Sequence, residues 1–195
     1  MVSGKSLQKL KSFAVAAGRG VPDVGLEPWA KGMTDEGLLP LFRNSEDGFT
    51  KVNLSGCVNL TDSVVQTIVK MHGRTLKLLN LDHCRNIIDG SLVEIADSCL
   101  LISELDVSEC GITDSGIAAL AGAWCSAPQF ADTFPLGLLI GLQQKLSFLG
   151  VLGQILDDLN IEHCHGISRG IVDLLVEWLW SCNLLFQTSI RSEES

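Results

Sequence analysis

The sequence has 195 residues, of which 46 % are apolar, so it can form one domain or two small ones with a sizeable buried core. Its 23 acidic and 14 basic residues give a formal net charge of −9. This charge argues against nucleic-acid binding, which needs Lys and Arg to neutralise phosphates, and it suits a basic partner. The chain has no apolar run of about 18 residues, so the sequence predicts no membrane span.

Residues 1–31 are predicted to form an irregular or partial first repeat. Between Leu10 and Gly18, apolar residues alternate around Phe13 as they do in a short, half-buried strand. Two helix starts follow at Asp23 and Asp35, only 12 residues apart. This spacing leaves no room for a strand between the two helix starts.

Between residues 32 and 186 one segment recurs at a regular spacing. Each copy reads apolar-x-x-apolar-x-apolar-x-x-Cys, and its alternating part predicts a short strand with one buried face. A Thr-Asp or similar pair then predicts a helix start, and apolar residues follow at helical spacing. Successive repeat cysteines are 27, 26 and 54 residues apart, and the last interval is two periods. The copies end at Cys57, Cys84, Cys110 and Cys164.

A strand and a helix within about 26 residues are typical of the long form of the leucine-rich repeat. One such unit cannot bury its apolar face alone, but stacked units share a continuous core. The predicted fold is therefore α/β, a short and curved leucine-rich-repeat solenoid with parallel strands inside and helices outside. Such a fold offers a binding surface without a built-in active-site cleft.

The repeat pattern is interrupted near residues 122–141, where we predict an irregular insertion. Pro128 and Pro135 fall in this stretch, and proline cannot donate a hydrogen bond to a sheet ladder. The last helix is predicted to run from Ile171 to Leu185. The polar residues 187–195 are predicted to be a disordered tail.

The seven cysteines and the N-terminus bear on the compartment. The stretch from Met1 to Lys11 is polar and basic and does not read as a secretory signal. Four of the cysteines occupy an apolar position of the repeat, where a buried free thiol fits. A reducing compartment, the nucleus or the cytosol, is therefore expected.

The cysteine-containing repeats resemble a known family. Three strings are similar to the cysteine-containing leucine-rich repeats of F-box proteins: Lys51-Val-Asn-Leu-Ser-Gly-Cys-Val-Asn-Leu-Thr-Asp62, Leu79-Asn-Leu-Asp-His-Cys84 and Leu105-Asp-Val-Ser-Glu-Cys110. F-box proteins are the substrate-recognition subunits of Skp1–cullin–F-box (SCF) ubiquitin ligases. Two further stretches, Gly32 to Phe42 and Leu159 to Trp178, resemble the C-terminal repeats of plant F-box proteins that restrain ethylene signalling.

The resemblance implies a protein-binding module of ubiquitin-dependent protein catabolism whose expected partner is a basic transcription factor. Those relatives carry an F-box ahead of a much longer solenoid, whereas here the repeat pattern begins by Leu7 to Leu10. We therefore expect a fragment without an F-box, for which docking to Skp1 is not expected. The alternative is a truncated fragment that is non-functional or dominant-negative, without coupling to the ligase.

The candidate binding residues follow from the alternation of the strands. If Val52 and Leu54 point into the core, the residues beside them point outward, and the same holds in the other repeats. A polar, acidic strip of this kind would suit a basic protein segment, and the alternative is a merely solvated sheet face. The predicted concave-face residues are Lys51, Asn53, Ser55, Asn80, Asp82, Glu104, Asp106, Ser108, Asn160 and Glu162.

No pattern in the sequence predicts catalysis, a cofactor or a bound metal. His83-Cys84 and His163-Cys164-His165 contain residue types that bind zinc. Each cysteine, however, is expected to point into the core, and each histidine before a cysteine occupies a solvated loop position. The sequence therefore predicts a protein-binding chain and not an enzyme.

Overall fold

The computed structural model describes residues 12–14, 32–45, 48–124, 156–179 and 182–186. From residue 125 onward, the predicted insertion near 122–141 lies outside the described residues. So do most of the predicted partial repeat at 1–31 and the whole of the tail at 187–195. The described residues form six strands and five helices.

The strands form one parallel sheet in which neighbours along the chain are also neighbours in the sheet. They are β1 (Ser12–Ala14), β2 (Lys51–Asn53), β3 (Leu78–Asn80), β4 (Glu104–Asp106), β5 (Asp158–Asn160) and β6 (Asn183–Leu185). The register confirms the predicted parallel arrangement and the alignment of the first strand with the later ones. The central residues of the strands form one row: Phe13, Val52, Leu79, Leu105, Leu159 and Leu184.

Each of the first four described helices contacts the next described helix, so the molecule is an α/β protein with a solenoid-like arrangement. The helices are α1 (Asp35–Arg43), α2 (Asp62–His72), α3 (Asp89–Ser98), α4 (Asp114–Trp124) and α5 (Arg169–Trp178). The core lies between the sheet and the helices, because the central strand residues and the apolar helix residues belong to one buried cluster. Ile68 of α2 and Leu92 of α3 are examples, and both are fully buried.

Two strand connections are longer than a single repeat. Ser12 pairs with Lys51, and Glu104 pairs with Asp158, although more than one repeat length separates each pair in the sequence. Both pairings are direct, so no other strand lies between these partners in the sheet.

The C-terminal end differs from the prediction made from the sequence. Helix α5 ends at Trp178 and does not reach Leu185, and a strand, β6, follows it. The Asn183 N–H donates to the carbonyl of Asp157 at 2.7 Å, which extends the sheet by one strand. The predicted helix end was wrong because a short apolar run fits a helix and a buried strand alike.

An aspartate at the first position of a helix joins each of the first four helices to the next unit. In each case a carboxylate oxygen accepts the backbone N–H of the residue that precedes the next helix. The pairs are Asp35 with Thr61 (2.9 Å), Asp62 with Ile88 (2.9 Å), Asp89 with Thr113 (2.8 Å) and Asp114 with Ser168 (2.7 Å). In a capping box a residue of the same helix accepts this N–H, whereas here the neighbouring unit does so. The helix starts are therefore tied together across the described structure.

Gly116 and Gly37 are each the third residue of a helix, and alanine substitutions at these two positions test how the helix starts are joined. A Cβ at Gly116 would overlap the carboxylate of Asp89 and lie 3.1 Å from its Cα, whereas a Cβ at Gly37 meets no described atom within 4 Å. We expect Gly116→Ala to lower the free energy of unfolding by about 1–3 kcal/mol, because Asp89 must move. Gly37→Ala should raise it by about 0.5–1 kcal/mol, because alanine loses less backbone entropy. Urea unfolding followed by circular dichroism measures both changes, and a stabilising Gly116→Ala would contradict this packing.

Candidate functional site

The candidate site is the side of the sheet that faces away from the helices. We call it the polar face and define it by the first and third residues of β2 to β5. The buried central row lies between two outward rows, which the register aligns across the strands. The first row is Lys51, Leu78, Glu104 and Asp158, and the second row is Asn53, Asn80, Asp106 and Asn160.

The second row fixes the backbone where each strand ends. In every strand the side-chain Oδ1 of the row residue accepts the N–H two residues further on, at 3.0 Å. These are local turns of the kind that Asn and Asp favour. Asn80 Nδ2 also donates to Asp106 Oδ2 at 3.2 Å, which links two neighbouring strands. These side chains therefore shape the face as well as line it.

Ser55 and Ser108 do not lie on the polar face as predicted, because only 3 % and 5 % of their surfaces are exposed. Ser108 Oγ lies 2.8 Å from Asp82 Oδ1 and 2.6 Å from Asp106 Oδ1. Ser55 Oγ donates to Asp82 Oδ2 at 3.4 Å. The alternation of sides holds only within a strand, and β2 and β4 end two residues before these serines. The hydroxyls bind neighbouring side chains and do not reach solvent.

The other eight predicted residues remain accessible. Lys51 is exposed, and the rest are half-buried: Asn53, Asn80, Asp82, Glu104, Asp106, Asn160 and Glu162. The exposed Asp158 belongs to the face as well, and Asn183 Nδ2 donates to its Oδ1 at 2.8 Å. Sequence reasoning missed Asn183 because it assigned that residue to a helix. The sequence did contain a signal for this residue, because the number of residues between Asp158 and Asn183 is close to one repeat length.

The charges of the polar face are unevenly distributed. Glu104 and Asp106 lie on β4, Asp158 lies on β5, and Glu162 follows β5 closely. The basic side chain of the face is Lys51, on β2 at the opposite side. The β4–β5 half therefore carries a negative charge that attracts basic groups.

Next to the polar face, the backbone turns through left-handed conformations. The residue before each repeat cysteine has a positive φ, at 77° for Gly56, 62° for His83, 51° for Glu109 and 57° for His163. Glycine adopts this conformation readily, whereas other residues seldom do. The predicted solvated loop position is therefore a tight corner that recurs in four units.

His83 joins two of these corners through charged groups. Its Nδ1 lies 2.5 Å from Asp82 Oδ1, and its Nε2 lies 3.1 Å from Glu109 Oε1. Arg85 Nη2 donates to Glu109 Oε2 at 3.1 Å. Both ring nitrogens of His83 are thus directed at carboxylates, and this arrangement links neighbouring units.

The repeat cysteines also link neighbouring units. Their thiols donate to backbone carbonyls of the preceding unit, Cys84 to Leu54 (3.2 Å), Cys110 to Leu81 (3.1 Å) and Cys164 to Val107 (3.1 Å). Burial raises the pKa of Cys84 to about 12 and that of Cys164 to about 11. Burial therefore disfavours the thiolate, which is the form of cysteine that acts as a nucleophile. Within the described ranges, no group of three or more His, Cys, Asp or Glu side chains is placed to hold a metal ion.

A cleft of about 500 Å³ lies between the corners that follow β4 and β5. Arg85, Glu109, Thr113, His163 and His165 contribute to its lining. Arg85 and Glu109 are paired with each other across it. The cleft is lined by apolar as well as polar groups, and its Arg85 and Glu109 side chains are already paired.

A comparison with protein-family models found none that matches the chain. In the part of the chain that the structure describes, no helix is both long enough and apolar enough to cross a membrane. The fold and the site together define an α/β protein with a stack of strand-and-helix units and an acidic, outward-facing sheet surface.

Proposed function

We propose that the chain is a protein-binding leucine-rich-repeat module of the F-box class, similar to the substrate-receptor part of an SCF ubiquitin ligase. In that role it would serve ubiquitin-dependent protein degradation in plant ethylene signalling, in the nucleus or the cytosol. The observation that carries the binding role is the polar face, in which two rows of side chains are aligned across four parallel strands. The family assignment rests on the cysteine-containing strings of the sequence.

The geometry of the polar face suits an extended protein segment. Parallel strands in register present side chains at regular intervals, and the hydrogen bonds of the second row hold the strand ends in place. A binding surface that is already ordered loses little entropy on association. Repeat proteins commonly bind partners along such an extended surface.

The charge of the face selects the partner. Glu104, Asp106 and Asp158 lie on adjacent strands, so a segment with several Lys or Arg residues can pair with them along one line. Partly exposed charge pairs contribute more to the rate of association and to specificity than to affinity. The basic segment of an ethylene-responsive transcription factor has the required chemistry, and the family resemblance points to the same class of partner.

The alternative role is capture of the partner without coupling to the ligase, which would make the chain dominant-negative. Our proposal does not include docking to Skp1, because the proposal rests on sequence strings that belong to the repeats. One buried apolar cluster, to which described residues from Leu38 to Leu179 contribute, favours a folded binder over a non-functional fragment.

Calorimetric titration of the pure chain with the basic DNA-binding segment of an ethylene-responsive transcription factor tests the binding role. The variant Glu104→Lys with Asp158→Lys reverses two charges on the polar face. The control Glu94→Lys with Asp173→Lys makes the same change of net charge on the helices α3 and α5. We expect the first variant to weaken binding by about tenfold or more and the control to change it by less than about threefold.

Two results would overturn the proposed site. The first is no measurable binding by the wild-type chain at about 50 mM salt, where exposed charges are screened less than at physiological ionic strength. The second is an equal loss of affinity in the face variant and the helix variant, which would show that only net charge matters. Circular dichroism of each variant verifies that the fold is retained.

A further inference from the structure

His72, the last residue of α2, lies in a cluster of aromatic rings at the N-terminal end of the described structure. Only 3 % of its surface is exposed. Its ring stands edge-on to Phe49, with centroids 4.8 Å apart, and lies 6.2 Å from the ring of Phe42. Phe42 and Phe49 also contact Phe13 of β1, at 5.5 and 6.3 Å. These four rings, the aromatic cluster, join β1 and α1 to α2.

One polar contact crosses the cluster. Nε2 of His72 lies 2.9 Å from the backbone carbonyl of Phe42. Phe42 is in the last turn of α1, where a carbonyl has no partner within its own helix. A neutral imidazole with its hydrogen on Nε2 donates to that carbonyl. The ring therefore satisfies the end of one helix while completing the packing of another.

We propose that this contact is an acid-sensitive fastening, by which the first unit, β1 with α1, is held to the remaining units and is released when the His72 ring takes up a second proton. The proposal is independent of the partner and of the polar face. The contact controls a conformational opening of the first unit, at the N-terminal end of the stack of units.

The charged residues around His72 are of both signs, and none of those described forms an ion pair with its ring. Within the described residues, no carboxylate lies within 4.0 Å of either ring nitrogen of His72. In sequence, charged residues of both signs flank the cluster: Arg43, Lys70 and Arg74 are basic and exposed, and Glu46 and Asp47 precede Phe49.

The acidic residues of α1 and α2 lie at the other ends of these helices, whereas Asp97 lies in the last turn of α3, which packs against α2, and is exposed. Asp35 and Glu36 are in the first turn of α1, and Asp62 is in the first turn of α2, whereas Phe42 and His72 are in the last turns. Burial lowers the pKa of His72, and the hydrogen bond to the Phe42 carbonyl opposes that effect only in part. The closed unit therefore favours the neutral ring.

The direction of the pH effect follows from linkage. The opened form binds the proton with the ordinary histidine pKa of 6.5, and the closed form binds it only at lower pH. The closed form has its full stability above pH 6.5 and loses stability as the pH falls below that value. If only the opened form takes up the proton, its equilibrium constant rises by about tenfold between about pH 7.5 and about pH 5.5. Because each unit contacts only its neighbours, such an opening can stay local.

Hydrogen exchange measured by mass spectrometry tests the proposal in the full chain. Peptides from α1 and α3 are compared at about pH 7.5 and about pH 5.5, after correction for intrinsic exchange rates. We expect the opening of α1 to increase by about tenfold at the lower pH and that of α3 by less than about twofold. In His72→Gln, whose amide can still donate to the Phe42 carbonyl without titrating, the change in α1 should fall below about twofold.

Equal pH effects on α1 and α3 in the wild-type chain would overturn the proposal, and so would an unchanged effect in His72→Gln. If that variant does not fold, the carbon-13 NMR titration of His72 in the wild-type chain decides the matter. Burial is expected to keep the titration midpoint of His72 below the ordinary histidine value in the folded chain. A titration midpoint of His72 at or above 6.5 in the folded chain would exclude the fastening.

Discussion

Replacing Leu79 with alanine is expected to lower the free energy of unfolding by about 2–5 kcal/mol. Leu79 is the central residue of β3, is fully buried, and pairs with Val52 on one side and Leu105 on the other. Truncation removes apolar burial and leaves a cavity in the middle of the row, where two neighbouring strands prevent collapse. Equilibrium unfolding in urea, followed by circular dichroism, measures the change.

The matched control is Leu78→Ala, one residue earlier in the same strand. Leu78 belongs to the polar face and is half-buried, so its truncation should cost less than about 1 kcal/mol. The two variants remove the same atoms from neighbouring positions, so the difference between them reports which side of the sheet is buried. Equal losses of stability, or a larger loss for Leu78→Ala, would show that the register is wrong.

The strands and their register could be predicted from the sequence because apolar alternation and a fixed period act together. The pattern around Phe13 predicted a strand equivalent to β2, and the structure pairs Phe13 with Val52. The same reasoning failed at β6, where the period pointed to a strand but the local apolar pattern suggested a helix. A period-based argument would have found Leu184 beside Leu159.

The exposure of the candidate site could be predicted only within the strands. Beyond the last strand residue the chain turns, and the side-chain directions then depend on hydrogen bonds to other units. This is why Glu104 was placed correctly on the face and Ser108 was not. The carboxylate of Asp82, 26 residues away from Ser108, accepts the hydrogen bond that accompanies its burial.

The left-handed backbone of the tight corners could not be predicted from the sequence either. Only Gly56 carries a sign of a left-handed backbone, because His83, Glu109 and His163 are residue types that usually avoid it. Contacts between units stabilise at least two of these corners, as the link from His83 to Glu109 shows. The cost of such a conformation is of order 1–2 kcal/mol per residue, and interactions between distant parts of the sequence must offset it.

Replacing Asp62 with alanine is expected to lower the free energy of unfolding by about 2–3 kcal/mol, although Asp62 lies at a helix start and outside the apolar core. The sequence suggests that Asp62 caps its own helix, but in the structure its Oδ1 accepts the Ile88 N–H at 2.9 Å and the Ser91 hydroxyl at 2.6 Å. Ser91 is completely buried, and no side chain of the residue before α3 caps that helix. The alanine variant leaves a buried hydroxyl and a helix-start N–H without their acceptor, and each such group costs about 1–3 kcal/mol.

Asp62→Asn is the control that separates this hydrogen bonding from charge. Asparagine keeps an oxygen in the position of Oδ1, so it can accept both hydrogen bonds, and it should cost less than about 1 kcal/mol. Urea unfolding of the two variants at the same pH gives the comparison. A large loss in both would mean that the negative charge near the helix start is what stabilises the junction. A small loss in both would mean that α3 finds other acceptors, and that the aspartates do not join the units in the way their geometry indicates.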